Sequence, residues 1–152
     1  MAQPFVPSDP AFDARVRRSF ERQSLMRHLG ATLEHVAPGE VAIRLPFRPA
    51  LTQQHGFFHA GAMTSIVDSA CGYSALTLMP PGAAVLTTEF KVNLMAPGDG
   101  ESVVARARVV KAGKTLTVSI GEVFAVKGGE ERLILLMVAT NMTVRDRPGL
   151  TD

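Results

Sequence analysis

One segment dominates what this chain can fold into. From Gly61 to Met79 nearly every residue is apolar or small, and the run is bounded by a Gly-containing polar loop before it and Pro80-Pro81-Gly82 after it. It is too long for an ordinary strand and is predicted to be the central helix. A helix apolar on nearly every side must be covered on nearly every side. A sheet has to curl round it, or a second subunit has to cover it. Thr64, Ser65, Asp68, Ser69 and Ser74 interrupt the run, so it falls short of the ~18 uninterrupted apolar residues of a membrane span.

The flanking sequence supplies the sheet. Residues 11–29 read as an amphipathic helix with Phe12, Val16 and Phe20 on one face; Asp9 is its expected cap, Pro10 belongs to its first turn and Gly30 stops it. Strand-like runs cover 31–36 and 40–46, joined by the turn Ala37-Pro38-Gly39, and 47–58 is a loop. After the central helix come four β-type runs, 84–95, 102–111, 115–126 and 132–144, separated by Gly-containing turns. The expectation is an α+β fold: one domain over 1–152, a meander of about six antiparallel strands with an apolar helix against it, a loose lead-in over 1–10 and a polar tail over 145–152.

Composition narrows the partners. Sixteen basic residues against 14 acidic ones leave a net charge of +2, too little to argue for nucleic acid, though a pI near 9.0 suits an anionic small molecule. The single cysteine, Cys71, allows neither an intramolecular disulfide nor a Cys-based zinc site, and it fits a reducing, cytoplasmic setting. The first residues lack the basic start and apolar run of a signal peptide. No metal, cofactor or membrane association is expected.

The chemistry-bearing residues cluster at the helix start. Gln53-Gln54-His55-Gly56-Phe57-Phe58 leads into His59-Ala60-Gly61, and Asp68 follows nine residues after the histidine. Burying an unpaired charge is costly, yet Asp68 lies among Ile66, Val67, Ala70 and Cys71. Either it is a catalytic carboxylate, its pKa raised by an apolar wall, or it is a buried Asp satisfied by Ser and Thr hydroxyls. The helix start offers unpaired N–H groups suited to an oxyanion. His59 also has a purely local reading, as a helix-entry residue bonded to the backbone. Gly56 argues against a helical metal pair of His55 and His59. Cys71 reads as packing, and Ser65 and Ser69 lack triad partners. Gly113-Lys114-Thr115 lacks the spacing of a phosphate loop and reads as a hairpin turn with an exposed Lys.

Three stretches together carry a resemblance: the loop-helix segment, Thr87-Thr88-Glu89-Phe90-Lys91-Val92-Asn93-Leu94-Met95-Ala96-Pro97, and Val109-Val110-Lys111-Ala112-Gly113-Lys114-Thr115. The chain resembles the hotdog-fold acyl-CoA thioesterases of the PaaI-like group over roughly residues 25–144. That resemblance implies Asp68 as general base or nucleophile and Gln53, where the family often has Asn, as a residue holding the water or thioester. It matches His59 to the loop histidine and makes the backbone N–H of Ala60 or Gly61 the oxyanion donor. It implies that Thr87 bonds near the carboxylate of a neighbouring subunit, and that Lys114, on the Gly113 turn, lies near the CoA phosphates. It also implies a homodimer or homotetramer with shared sites. The expected reaction is hydrolysis of an acyl-CoA thioester without cofactor. A hotdog-type enoyl-CoA hydratase or dehydratase and a non-catalytic acyl-CoA-binding module are the other readings. Phe57, Phe58, Met63, Leu78 and Met79 point to a medium or long aliphatic or an aryl acyl group.

Overall fold

The computed structural model describes residues 5–150 and 152. Its elements run α1 (Phe12–Arg22), α2 (Ser24–Leu29), β1 (Thr32–Ala37), β2 (Glu40–Pro46), a 3-10 turn at Pro49–Leu51, α3 (Ala60–Leu76), β3 (Ala84–Leu94), β4 (Ser102–Ala112), β5 (Leu116–Lys127) and β6 (Glu130–Val144). The six strands form one antiparallel sheet that packs round α3, the α+β arrangement of a hotdog fold. The strand order is β1-β2-β4-β5-β6-β3, which corrects the expected meander. After α3 the chain crosses to the far edge, pairs β3 with β6, and leaves β4 to fill the place beside β2. Pairing signals within each run could not reveal that skip, because turns fix neighbours only where a turn is tight.

The concave face is built in rows across the strands. Ile43, Ala105, Val123, Leu135 and Leu94 are in register, and so are Val41, Ala107, Gly121, Met137 and Val92. Their buried members form the core with Met63, Ile66, Val67, Ala70 and Cys71 of α3. Helix and sheet meet closely at Gly121, where an added Cβ would lie 2.4 Å from Val67 Cγ2 and 2.8 Å from Cys71 Sγ.

Other boundaries also differ from expectation. The single helix over 11–29 is two helices, broken at Gln23, whose backbone is extended (φ −76°, ψ 97°). The break lets Met26 and Leu29 reach the core, while Gln23 Oε1 accepts a hydrogen bond from Ser69 Oγ of α3 at 3.0 Å. Asp9 is not the side-chain cap of α1. It accepts from the Ala11 N–H at 2.9 Å, and it pairs with Arg15 at 3.4 Å. The part of the lead-in that is described is pinned: Ser8 Oγ donates to Leu78 O, and Asp9 is buried. Residues 1–4 of the lead-in and Thr151 of the tail lie outside the described residues. Asp152 packs back on the domain, accepting from Ser19 Oγ at 2.7 Å and from the Val85 N–H at 2.8 Å.

The central helix starts one residue earlier than expected and ends at Leu76 rather than Met79. Arg15, almost fully buried, holds that end. Its guanidinium donates to the carbonyls of Leu76, Met79 and Pro80 at 2.7–2.8 Å, placing a cation where helix carbonyls are left over. Burial lowers the Arg15 pKa, and the facing Asp9 opposes that shift. Nor is α3 apolar on every side. Gly61, Thr64, Ser65, Asp68 and Ser69 are exposed or half-buried and share one stripe, at spacings of three and four. That stripe is where the helix is left open.

Candidate active site

The start of α3 is set by its own loop. Phe58 N–H donates to Gly98 O at 2.9 Å and His59 N–H donates to Leu51 O at 2.8 Å, which pins the chain as it enters the helix. His59 is the N-cap, extended at φ −65° and ψ 137°, and its Nδ1 accepts from the Gly61 N–H at 2.8 Å. Its carbonyl accepts from Ala62 and Met63. Three of the four N–H groups left over at a helix start are therefore satisfied. The Ala60 N–H has no acceptor among the described residues. Of the two oxyanion donors expected from sequence, Ala60 remains available, while Gly61 is engaged by His59. The local reading of His59 also holds, because its ring does the capping that an Asp or Asn usually does.

Ala60 opens onto a cavity of about 490 Å³ whose lining includes Gln53, Phe57, Phe58, Met63 and Leu94. Gly98 closes it tightly, since a Cβ there would lie 2.8 Å from Phe58 Cβ and 2.9 Å from Met63 Sδ. Gln53 faces this cavity, but its side-chain oxygen accepts from the His55 N–H, which folds the loop back on itself. Leu78 and Met79 are elsewhere. They line a second cavity at the other end of α3, together with Gly113, Lys114 and Arg145. Gly113 is needed by its turn, as a Cβ would meet the Leu116 carbonyl oxygen at 2.3 Å. Lys114 is exposed there, and its carbonyl accepts from Arg145.

Asp68 is half-buried on the open stripe of α3. Burial pushes its pKa up from the usual carboxylate range, and a hydrogen bond from Thr87 opposes that shift. Thr87 Oγ1 donates to Asp68 Oδ1 at 2.9 Å within the same chain, whereas the resemblance implied a bond near the carboxylate of a neighbouring subunit. The reason is topological: β3 returns beside the helix it follows, so residue 87 faces its own residue 68. Oδ2 has no partner among the described residues. Cys71 is inert packing, its thiol pushed up to about 12 by burial and by the nearby Asp68 charge. One contributor went unread in the sequence. Asn141 of β6 donates from Nδ2 to Thr87 Oγ1 at 3.1 Å. Its signal was there: an Asn at an inward position of the alternating run Leu135, Met137, Ala139.

Asp68 and Ala60 do not converge within one chain. Eight residues of helix separate them, about 12 Å along the axis, whereas a base and an oxyanion donor must each lie about 3 Å from one reacting group. No cluster of potential metal ligands occurs among the described residues, nor is any described helix long and apolar enough to cross a membrane.

Residues 55–131, which carry the loop, α3 and most of the sheet behind it, match the thioesterase superfamily. The chain belongs to that superfamily and is a thioester hydrolase. It is 34% identical over 101 residues to acyl-coenzyme A thioesterase 13 of Homo sapiens, a match covering 65% of this chain and 68% of that protein. A thioesterase family protein from Silicibacter pomeroyi is similar with a TM-score of 0.87 at 50% identity, over 89% of this chain and 99% of that one. The PaaI protein of E. coli shares the fold, with a TM-score of 0.79 at 18% identity over 92% and 95% of the two chains. Of the three functions weighed from the sequence, hydrolysis is the one this superfamily is named for.

Proposed function

We propose that the protein hydrolyses an acyl-CoA thioester to the free acid and CoA, in a site shared between two chains. The observation that carries this is Asp68: a half-buried carboxylate with one oxygen held by Thr87 and the other without a partner among the described residues. Used as a base, Oδ2 takes a proton from water as the water oxygen attacks the thioester carbonyl. The tetrahedral oxyanion is met by the Ala60 N–H of the other chain. Collapse breaks the C–S bond, and the proton held by Asp68 goes to the departing thiolate. Used as a nucleophile, the same oxygen attacks the thioester carbonyl, the C–S bond breaks and the CoA thiolate leaves to take a proton from water, and a second water cleaves the acyl–Asp68 anhydride to the free acid and the Asp68 carboxylate. Gln53 and His59 shape the loop that presents the Ala60 N–H.

The second chain is supported by distance and by surface. Asp68 and Ala60 are too far apart to act together in one chain. β3 is an edge strand whose Phe90 and Leu94, 46% and 54% exposed, sit in register with buried core residues of β6. A homodimer pairing this edge would cover them. Exposed Leu86, Leu116 and Val138 on the convex face would support a further pairing into a homotetramer. Lys114 would then meet a CoA phosphate as an exposed cation on its turn. The apolar lining by Phe57, Met63 and Leu94 favours a medium or long aliphatic or an aryl acyl group. The lone buried Cys71 supports a reducing, cytoplasmic setting.

The test is thiol release from a panel of acyl-CoAs by the wild type and by Asp68→Asn. On the best substrate kcat should fall about 10²- to 10⁴-fold, the range of a lost acid–base group. An unchanged kcat would remove Asp68 from the reaction.

A further inference from the structure

We propose that Asn141 is a positioning residue for this reaction: its amide fixes the Thr87 hydroxyl, so that the hydroxyl proton is committed to Asp68 and Oδ2 alone is left to react. The inference rests on the reading of Asp68 as the working carboxylate.

The geometry is a three-member relay. Asn141 Nδ2 donates to Thr87 Oγ1 at 3.1 Å, and Thr87 Oγ1 donates to Asp68 Oδ1 at 2.9 Å. A hydroxyl has one proton and rotates to suit its surroundings. With an N–H aimed at its lone pair, the Thr87 oxygen must accept on that side and donate on the other. The direction of the relay is therefore set by the one member that is fully buried, Asn141, at 0% exposed.

Packing alone does not account for an Asn here. Its inward neighbours on β6, Leu135, Met137 and Ala139, are apolar and fully buried. Asn141 Oδ1 is buried with no partner among the described residues, a cost that an apolar side chain of similar size would not carry. Gly72, one turn after Asp68 on α3, faces the amide, and a Cβ there would lie at ordinary contact distance, 3.9 Å from Asn141 Nδ2. The row Thr117, Asn141 and Thr87 places a polar residue in each of β5, β6 and β3, and the next row on the same face is Ser119, Ala139 and Phe90. A side chain kept at a cost and bonded to the residue that touches the carboxylate is there to orient that residue.

Few other groups compete for control of Asp68. On α3, Cys71 is held neutral by its raised pKa. The buried polar residues that β5 and β6 turn toward the helix are the neutral Thr117, Ser119 and Asn141, of which Ser119 bonds to Ser74 and the Cys71 carbonyl. On β3, Glu89 pairs across the sheet with Thr140, whose hydroxyl donates to it. No cation or second carboxylate contributes to the Asp68 shift.

The test reads the Asp68 carboxyl directly, by carbon-13 NMR titration, beside pH profiles of kcat/KM. It uses the wild type, Asn141→Leu, Thr87→Val and the double variant. In Asn141→Leu the Asp68 titration and the acid limb of the profile should both move to higher pH. On that limb kcat/KM should fall about 3- to 10-fold, the effect of one net hydrogen bond. Once Thr87 is Val, the Asn141 change should add nothing further. An unmoved Asp68 titration in Asn141→Leu, with or without a change in thermal midpoint, would reduce Asn141 to a structural role. An equal shift in the Thr87→Val background would show that it does not act through Thr87. If Asn141→Leu does not fold, Asn141→Ser shortens the side chain out of reach and is read the same way. The titration stands without activity, so a fully active Asp68→Asn enzyme would overturn the hydrolytic role of Asp68 and leave the relay itself still measurable.

Discussion

Asp68 occupies a place that is costly for a carboxylate. Burial holds its pKa above the ordinary range, and Thr87 offsets only part of that. The native protein therefore binds this proton more readily than the unfolded chain does. As pH rises from the unfolded carboxyl's range through the native one, stability is lost, and at neutral pH the ionised Asp68 is a destabilising group. The Asp68→Asn variant, expected to lose turnover, should consequently melt at or above the wild-type temperature at neutral pH, with the gap closing in acid; a calorimetric pH series measures this. A variant that is both inactive and much less stable would instead favour a structural Asp. The Ala60 N–H is open to an equally local test. Proline is suited to the first position of a helix, where the N–H has no helical partner, and the extended backbone of His59 is what a residue before proline needs. Ala60→Pro should fold with little change in melting temperature and lose about 10²- to 10³-fold in kcat, the effect of one oxyanion donor. Full activity in a folded Ala60→Pro enzyme would move the donor elsewhere.

At the scale of elements, everything at the site depends on how α3 lies on the sheet. Gly121 sets that contact, because Val67 and Cys71, on either side of Asp68 in sequence, occupy the space a Cβ would need. Gly121→Ala should destabilise by about 1–3 kcal/mol through overpacking. It should also lower kcat by moving Asp68 relative to Thr87. Adding Val67→Ala should recover part of both losses, as coupled neighbours do; thermal melts and steady-state kinetics on the three variants check this. Much of this level was legible in the sequence. The length of the Gly61–Met79 run, the Pro80-Pro81-Gly82 stop and the Gly-containing turns gave α3 and all six strands nearly in place. What was not legible is non-local. Gln23 breaks a helix without Gly or Pro, because α2 must turn into the core. β3 skips to the far edge because the crossover through α3 sets its place, and no turn residue encodes that. The polar stripe on α3 could have been read from the spacing of Thr64, Ser65, Asp68 and Ser69. Thr87 could not be assigned to its own Asp68 until the position of β3 was known.

At the scale of the molecule, one chain holds the parts of the proposed site without bringing them together. Among the described residues the unpartnered carboxylate oxygen lies midway along α3, the unpartnered Ala60 N–H lies at its start, and the exposed Lys114 lies toward its end. The same chain leaves apolar Phe90 and Leu94 uncovered along an unpaired edge. A two-fold pairing of that edge would answer both facts, setting the Ala60 of one chain against the Asp68 of the other. The most direct measurement is complementation. An Asp68→Asn chain and an Ala60→Pro chain, each inactive alone, are co-expressed with different tags, and the hybrid pair is purified and assayed for thiol release from an acyl-CoA. In a shared arrangement the hybrid keeps one intact site, with the Ala60 of the first chain and the Asp68 of the second, and should turn over at about half the wild-type rate per pair. A hybrid as inactive as its two parents, while still a dimer by sedimentation, would contradict the shared site.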